Sequence, residues 1–233
     1  VFDGVSLSCT DGPAVYIKCA DKVFITLADG SENFLSDGSS YEIVDDGSTL
    51  DAALFSKEDL TVNGSGSLTV NGNYKHGIVS KDDLIITGGV ITVTSVKAGI
   101  DGKDCVKIGG GTIRITAGSD GIRSSNDEDT SRGYIYISGG TIDITAGNDG
   151  IQAETVLNIT GGDFIIESGG GSANASTGAD GGWNSGWGSW GGFGGFGGTT
   201  QTTADEESAK GLKAGTELII TDGTFRIDSS DDS

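Results

Sequence analysis

From Leu54 onward the sequence repeats one phrase: an apolar-x-apolar triplet, a glycine turn, a second such triplet, then a lone aliphatic residue behind a small one. First triplets begin at Leu60, Leu84, Val106, Ile135, Leu157 and Leu218. Second triplets begin at Leu68, Ile91, Ile113, Ile142, Phe164 and Phe225, and the third series is Leu54, Ile78, Ile100, Ile122, Ile151 and Leu212. Uninterrupted copies are 22 residues long, as from Leu84 to Val106 and from Ile135 to Leu157. A unit this short, with three strand-sized apolar pieces and no helical period, predicts one coil of an all-β parallel solenoid.

The triplets alternate inward and outward side chains, as in Ile113-Arg114-Ile115. No single coil buries its apolar residues, but stacked coils place like on like. Val62, Ile86, Ile108, Ile137, Ile159 and Ile220 complete the first wall, and Val70, Val93, Ile115, Ile144, Ile166 and Ile227 the second. β-Branched residues suit such pleated, closely packed walls. Glycines recur at two corners, as Gly89, Gly111, Gly140, Gly162 and Gly223, and as Gly99, Gly121, Gly150 and Gly211. The simplest expectation is a positive φ at both. Unequal spacing of the three series favours a right-handed parallel β-helix over the near-regular hexads of left-handed ones, and the tandem Gly-Gly-x-Gly-x-Asp repeat of calcium β-rolls is absent.

The repeat makes residues 1–233 one elongated domain, with 1–50 expected as irregular first coils. The end at Ser230-Asp231-Asp232-Ser233 reads as a cut in mid-coil, and the missing signal-peptide pattern as a mature segment. A net charge of −20 argues against nucleic acid and anionic membrane, which require clustered Lys and Arg. No stretch approaches the ~18 apolar residues of a membrane span. Cys9, Cys19 and Cys105 have no metal-ligand spacing; Cys9 and Cys19 could pair, but three cysteines fix neither connectivity nor compartment. The single histidine, His76, is far in sequence from each cysteine, which argues against a thiol enzyme.

Solenoids take insertions at corners, and insertions often carry binding. The step from Val106 to Ile135 is 29 residues, with its surplus around Asn126-Asp127-Glu128-Asp129-Thr130-Ser131-Arg132. The step from Leu157 to Leu218 is 61 residues. It contains a Gly/aromatic loop over 170–207 with Trp183, Trp187, Trp190, Phe193 and Phe196. That loop is either a low-complexity excursion or an aromatic platform for the apolar faces of sugars.

Register also predicts a metal corner. Asp120 and Asp149 occupy equivalent positions on adjacent coils, about 4.8 Å apart at the backbone. Two such carboxylates repel unless one is protonated or a cation lies between them. The same position is Ala98 on the coil before and Lys210 on the coil after, and Asp101, Glu154 and the Asp127-Glu128-Asp129 insertion are expected nearby. Oxygen ligands without His or Cys fit calcium; the alternative is a hydrated carboxylate ladder. Arg123, outward on the third wall, is a candidate base for β-elimination or a cation neutralising this corner. Lys57, Lys81 and Lys103 stack along one edge as a charged fringe.

The phrases Leu27-Ala-Asp-Gly-Ser-Glu-Asn33, Ala53-Leu-Phe-Ser-Lys-Glu-Asp-Leu-Thr-Val-Asn-Gly64, Gly150-Ile-Gln-Ala-Glu-Thr155 and Ser208-Ala-Lys-Gly-Leu-Lys-Ala-Gly215 resemble a bacterial family of carbohydrate-binding domain-containing proteins. Gly170-Gly-Ser-Ala-Asn-Ala175 before the Gly/aromatic loop adds to the likeness, which covers nearly the whole chain. It implies a β-helix related in shape to pectate lyases, bound calcium, and extracellular or cell-surface binding of cellulose and pectin without cleavage. The expected partners are therefore polysaccharides, bound by a monomer with no nucleic acid and no membrane insertion. A calcium-dependent pectate lyase and a structural adhesin are the competing readings.

Overall fold

The structure is a computed structural model and describes residues 1–41, 49–174 and 209–230. Three parallel sheets of seven, eight and seven strands run the length of the described chain, one for each predicted wall. In the first wall Leu60, Leu84, Val106, Ile135 and Leu157 are successive partners or share an in-register strand pair. Leu68, Ile91, Ile113, Ile142 and Phe164 do the same in the second, and Ile78, Ile100, Ile122 and Ile151 in the third. Their side chains fill the bore, and almost all are completely buried. Each such side chain contributes about 1.5–3 kcal/mol by leaving water, which is why a coil is stable only in a stack. On the last coil the inward residues Leu218, Ile220 and Ile227 stay 41–47% exposed, because no described coil stacks beyond them.

Residues 1–41 are more regular than the expected irregular first coils. Strands Ser6–Ser8, Val15–Ile17, Lys22–Leu27 and Glu32–Ser36 all enter the parallel ladders. The loose spacing comes from the connections, chiefly the one between Ser36 and Ala52. A smaller buried group lies outside the bore, where Leu50, Tyr16 and Tyr41 cover the outward side chains Phe55 and Val79 of the third wall.

The two glycine corners differ in physical cause. Gly89, Gly111, Gly140, Gly162 and Gly223 have φ between 91° and 125°, which side-chain-bearing residues rarely adopt. Gly99, Gly121, Gly150 and Gly211 do not have positive φ, and the expectation of one is corrected here. A Cβ at Gly121 would lie 2.5 Å from Ile144 Cγ2 and 2.6 Å from the Gly150 carbonyl oxygen, and Gly99, Gly150 and Gly211 meet the second-wall isoleucines in the same way. These glycines keep space for the core. All three cysteines are free thiols, so Cys9 and Cys19 are not paired.

Candidate functional site

The predicted carboxylate corner forms in register, but with its own cations. Asp120 Oδ1 accepts hydrogen bonds from Asn148 Nδ2 at 3.0 Å and the Asp149 backbone N–H at 3.3 Å. Arg123 Nη1 lies 3.7 Å from Asp120 Oδ2, and its Nε and Nη2 donate to Asp101 Oδ2 at 3.0 and 2.8 Å. Asp149 is completely buried, accepting from the Lys210 backbone N–H and from Lys213 Nζ, both at 2.9 Å. Arg123 thus takes the second of its two expected roles, a cation neutralising this corner, and Lys213 adds a cation that the column of equivalent positions did not show; both reach in from outward positions of the third wall. Burial works against the Arg123 charge, but Asp101 and Asp120 hold its pKa above the ordinary value. It is a structural cation rather than a poised base.

The short insertion does not extend this corner. Asn126 Oδ1 accepts from the backbone N–H groups of Glu128 and Asp129, and Asn126 Nδ2 donates to Asp104 Oδ1 at 2.6 Å. Arg132 pairs with Asp104 and lies 3.4 Å from Asp129, while Thr155 Oγ1 donates to the Arg132 carbonyl. The loop is thus pinned along the edge of the first wall. Asp127 is exposed, Glu128 lies 3.7 Å from Lys103, and Asp129 Oδ1 accepts from Ser131. Glu154 Oε1 accepts from Gln152 Nε2 at 3.4 Å. These four carboxylates do not converge with Asp120 and Asp149 on one point.

A different acidic group does converge. One carboxylate oxygen each from Asp59, Asp82 and Asp83 lies within 4.8 Å of the others. Asp104 joins them as a lining residue of a polar cavity of about 440 Å3, beside Ser131, Arg132 and Tyr134. Lys22 Nζ is 2.9 Å from Asp59, and Lys107 Nζ is 3.1 Å from Asp83. A hydrogen bond with Asp104, together with burial, pushes the Asp82 carboxyl up to about 6, which is the signature of crowded carboxylates. The donor set is all oxygen and partly exposed, and it fits a hard cation such as calcium, which takes 6–8 oxygen ligands. The sequence carried the signal: Glu58, Asp82 and Asp104 each follow a lysine of the Lys57, Lys81 and Lys103 fringe, and Asp59 and Asp83 come next.

Tyr134 connects this cavity to a second, less polar cleft of about 260 Å3 on the outer face of the first wall. Strand Tyr134–Ile137 presents Tyr134 and Tyr136 outward, with Lys107 and Asn158 as the register neighbours of Tyr136 on either side. Lys107 Nζ lies 5.4 Å from the Tyr134 ring centre, and the Tyr136 hydroxyl contacts Thr160 Oγ1 at 3.2 Å. Burial opposes the Lys107 charge, yet Tyr134 and Asp83 hold its pKa raised. Burial pushes the neighbouring Cys105 thiol up to about 12, far from the thiolate a nucleophile requires. Trp183, Trp187, Trp190, Phe193 and Phe196 lie outside the described residues.

A family model described as carbohydrate-binding domain-containing protein matches residues 1–233. A protein of that description from Acetivibrio thermocellus is 46% identical over 94 residues, 40% of this chain. The match spans about a third, 33%, of that relative's length. Among solved structures, a polysaccharide lyase-like protein from C. thermocellum, obtained as a gadolinium derivative, superposes with a TM-score of 0.76 at 34% identity, covering 96% of this chain and 76% of that one.

Proposed function

This chain belongs to the family of carbohydrate-binding domain-containing proteins, and from that premise we propose that it is a secreted or cell-surface monomer that binds cellulose and pectin without cleaving them. The observation that carries the reading is the acidic cavity around Asp59, Asp82 and Asp83. A chain of net charge −20 repels a polyuronate. A calcium ion held by this trio would offer its remaining coordination positions to ligand carboxylates and turn repulsion into a bridge. A neutral polymer has no carboxylate to bridge, so its binding is independent of the cation.

The fold likeness to a polysaccharide lyase-like protein keeps lyase chemistry as the second reading. Against it, Arg123 spends its donors on Asp101 and Asp120. Retention on polygalacturonate and on cellulose, each with calcium and with a chelator, tests the proposal. The double variant Asp59→Asn with Asp82→Asn is expected to lose calorimetric calcium binding and to weaken polygalacturonate retention about tenfold, or ~1.4 kcal/mol. Cellulose retention stays unchanged. Chelator-insensitive polygalacturonate binding rejects the bridge, and ultraviolet absorbance from unsaturated products rejects the non-catalytic reading.

A further inference from the structure

The cleft beside the acidic cavity has a character of its own. Lys107, Tyr136 and Asn158 form one row of side chains across three adjacent strands, and Tyr134 and Val156 line the cleft beside that row. The two tyrosines are two residues apart on one strand, so their Cα atoms stand about 7 Å apart and their side chains leave the same face. Thr130 and Ser131 of the short insertion form the rim. At about 260 Å3 the cleft lies just below the ~300–1,000 Å3 of drug-sized pockets, a volume suited to one ring rather than an extended chain.

Three observations select the ligand. Tyr136 remains 36% exposed, although its hydroxyl already has Thr160 as a partner, so the free part of the residue is its ring. Asn158 Oδ1 is enclosed yet has no hydrogen-bond partner among the described residues, leaving an amide with capacity to spare. The one charged lining residue, Lys107, is already met by Asp83 at 3.1 Å. Next to it stand Asp59, Asp82, Asp83 and Asp104, which repel any carboxylate approaching without a cation.

We infer that this cleft is a subsite for one neutral pyranose ring with equatorial substituents, the kind found in β-linked glucans, stacked on Tyr136 and Tyr134 and hydrogen-bonded by Asn158. Such a ring has a flat C–H face that matches an aromatic face, and a rim of hydroxyls that suits an amide. The inference rests on the carbohydrate-binding reading and deepens it. Neutral and acidic polymers meet adjacent but separate halves of one surface, divided at Tyr134.

Cellohexaose in the presence of chelator is the probe, titrated into the full chain and its variants. Tyr136→Ala is expected to weaken binding about tenfold or more, the scale of one stacked ring. Tyr136→Phe keeps the ring and binds within about twofold of the parent. Asn158→Ala, which removes no hydrogen bond seen in the fold, weakens binding severalfold while circular dichroism and melting stay unchanged. Calcium binding and polygalacturonate retention are untouched by all three. If the parent binds cellohexaose and Tyr136→Ala binds it equally well, the cleft is not the subsite, though the broader reading stands. Retention on solid cellulose without any cellohexaose binding also rejects the subsite, in favour of a flat surface. A parent that binds no neutral polymer at all rejects both this inference and the cellulose half of the proposed function.

Discussion

Asp149 and Arg123 show what an ionic residue does inside a solenoid. Asp149 is completely buried, and its two oxygens are taken by the Lys210 backbone N–H and by Lys213. Arg123 holds two buried carboxylates, Asp101 and Asp120, from a side chain that is 30% exposed. Removing one partner of such a network strands the other without compensation. Arg123→Ala is therefore expected to cost roughly 2–3 kcal/mol, toward the low end for a buried pair because the guanidinium keeps some water. Calorimetric calcium stoichiometry should remain that of the parent. Urea unfolding and calcium titration of the same sample check both halves. A variant as stable as the parent would show that solvent already neutralises Asp101.

From Gly77 onward glycine stands before every third-wall aliphatic, and a second glycine turns the chain between the first and second walls. At Gly140, φ is +106° and a Cβ would lie 3.0 Å from the Gly111 carbonyl oxygen. Gly140→Ala is expected to cost about 1–2 kcal/mol, the scale of placing an L-residue at positive φ. At Gly121 the backbone is ordinary, but a Cβ would enter the bore 2.5 Å from Ile144 Cγ2. Gly121→Ala overpacks the core and is expected to cost roughly 3 kcal/mol. Chemical denaturation of the two single variants ranks them directly. If Gly140→Ala is the more damaging, the packing account of the Gly121 corner is wrong.

Across the whole molecule, the coil after the long interruption docks as if nothing intervened. Six consecutive residue pairs, Asp163 with Thr224 through Ser168 with Ser229, are in register. Phe164 and Phe225 stack with ring centres 4.6 Å apart and planes 4° from parallel. Register on the two sides of the interruption is therefore carried by the walls. Replacing residues 176–207 with a short Gly-Ser linker is expected to leave the fold intact and to raise stability by about 1 kcal/mol through a shorter loop. Cellohexaose binding at the tyrosine cleft should persist. Any drop in retention on solid cellulose then measures what Trp183, Trp187 and Trp190 contribute. A melting temperature well below that of the parent would mean that the excised segment supports the stack.

The walls were legible in the amino-acid sequence because their cause is local and periodic. An alternating triplet every 22 residues can satisfy its apolar side chains only by stacking on its own copies, so Ile113 and Ile142 had to be neighbours. The same period placed Asp120 beside Asp149, and it also aligned Asp59 with Asp83 behind the lysine fringe. Tertiary structure decided everything that depends on how far a side chain reaches and which way an aperiodic segment turns. Lys213 pairs with Asp149 from 64 residues away, across the long interruption. The insertion at 126–132 folds toward Asp104 and the first wall, since Asn126 and Arg132 find their hydrogen bonds there. That turn joins the acidic cavity to the tyrosine cleft. Repeats fix which residues share a row, whereas the partners that neutralise, roof or divide those rows are set by side-chain geometry with no period to read.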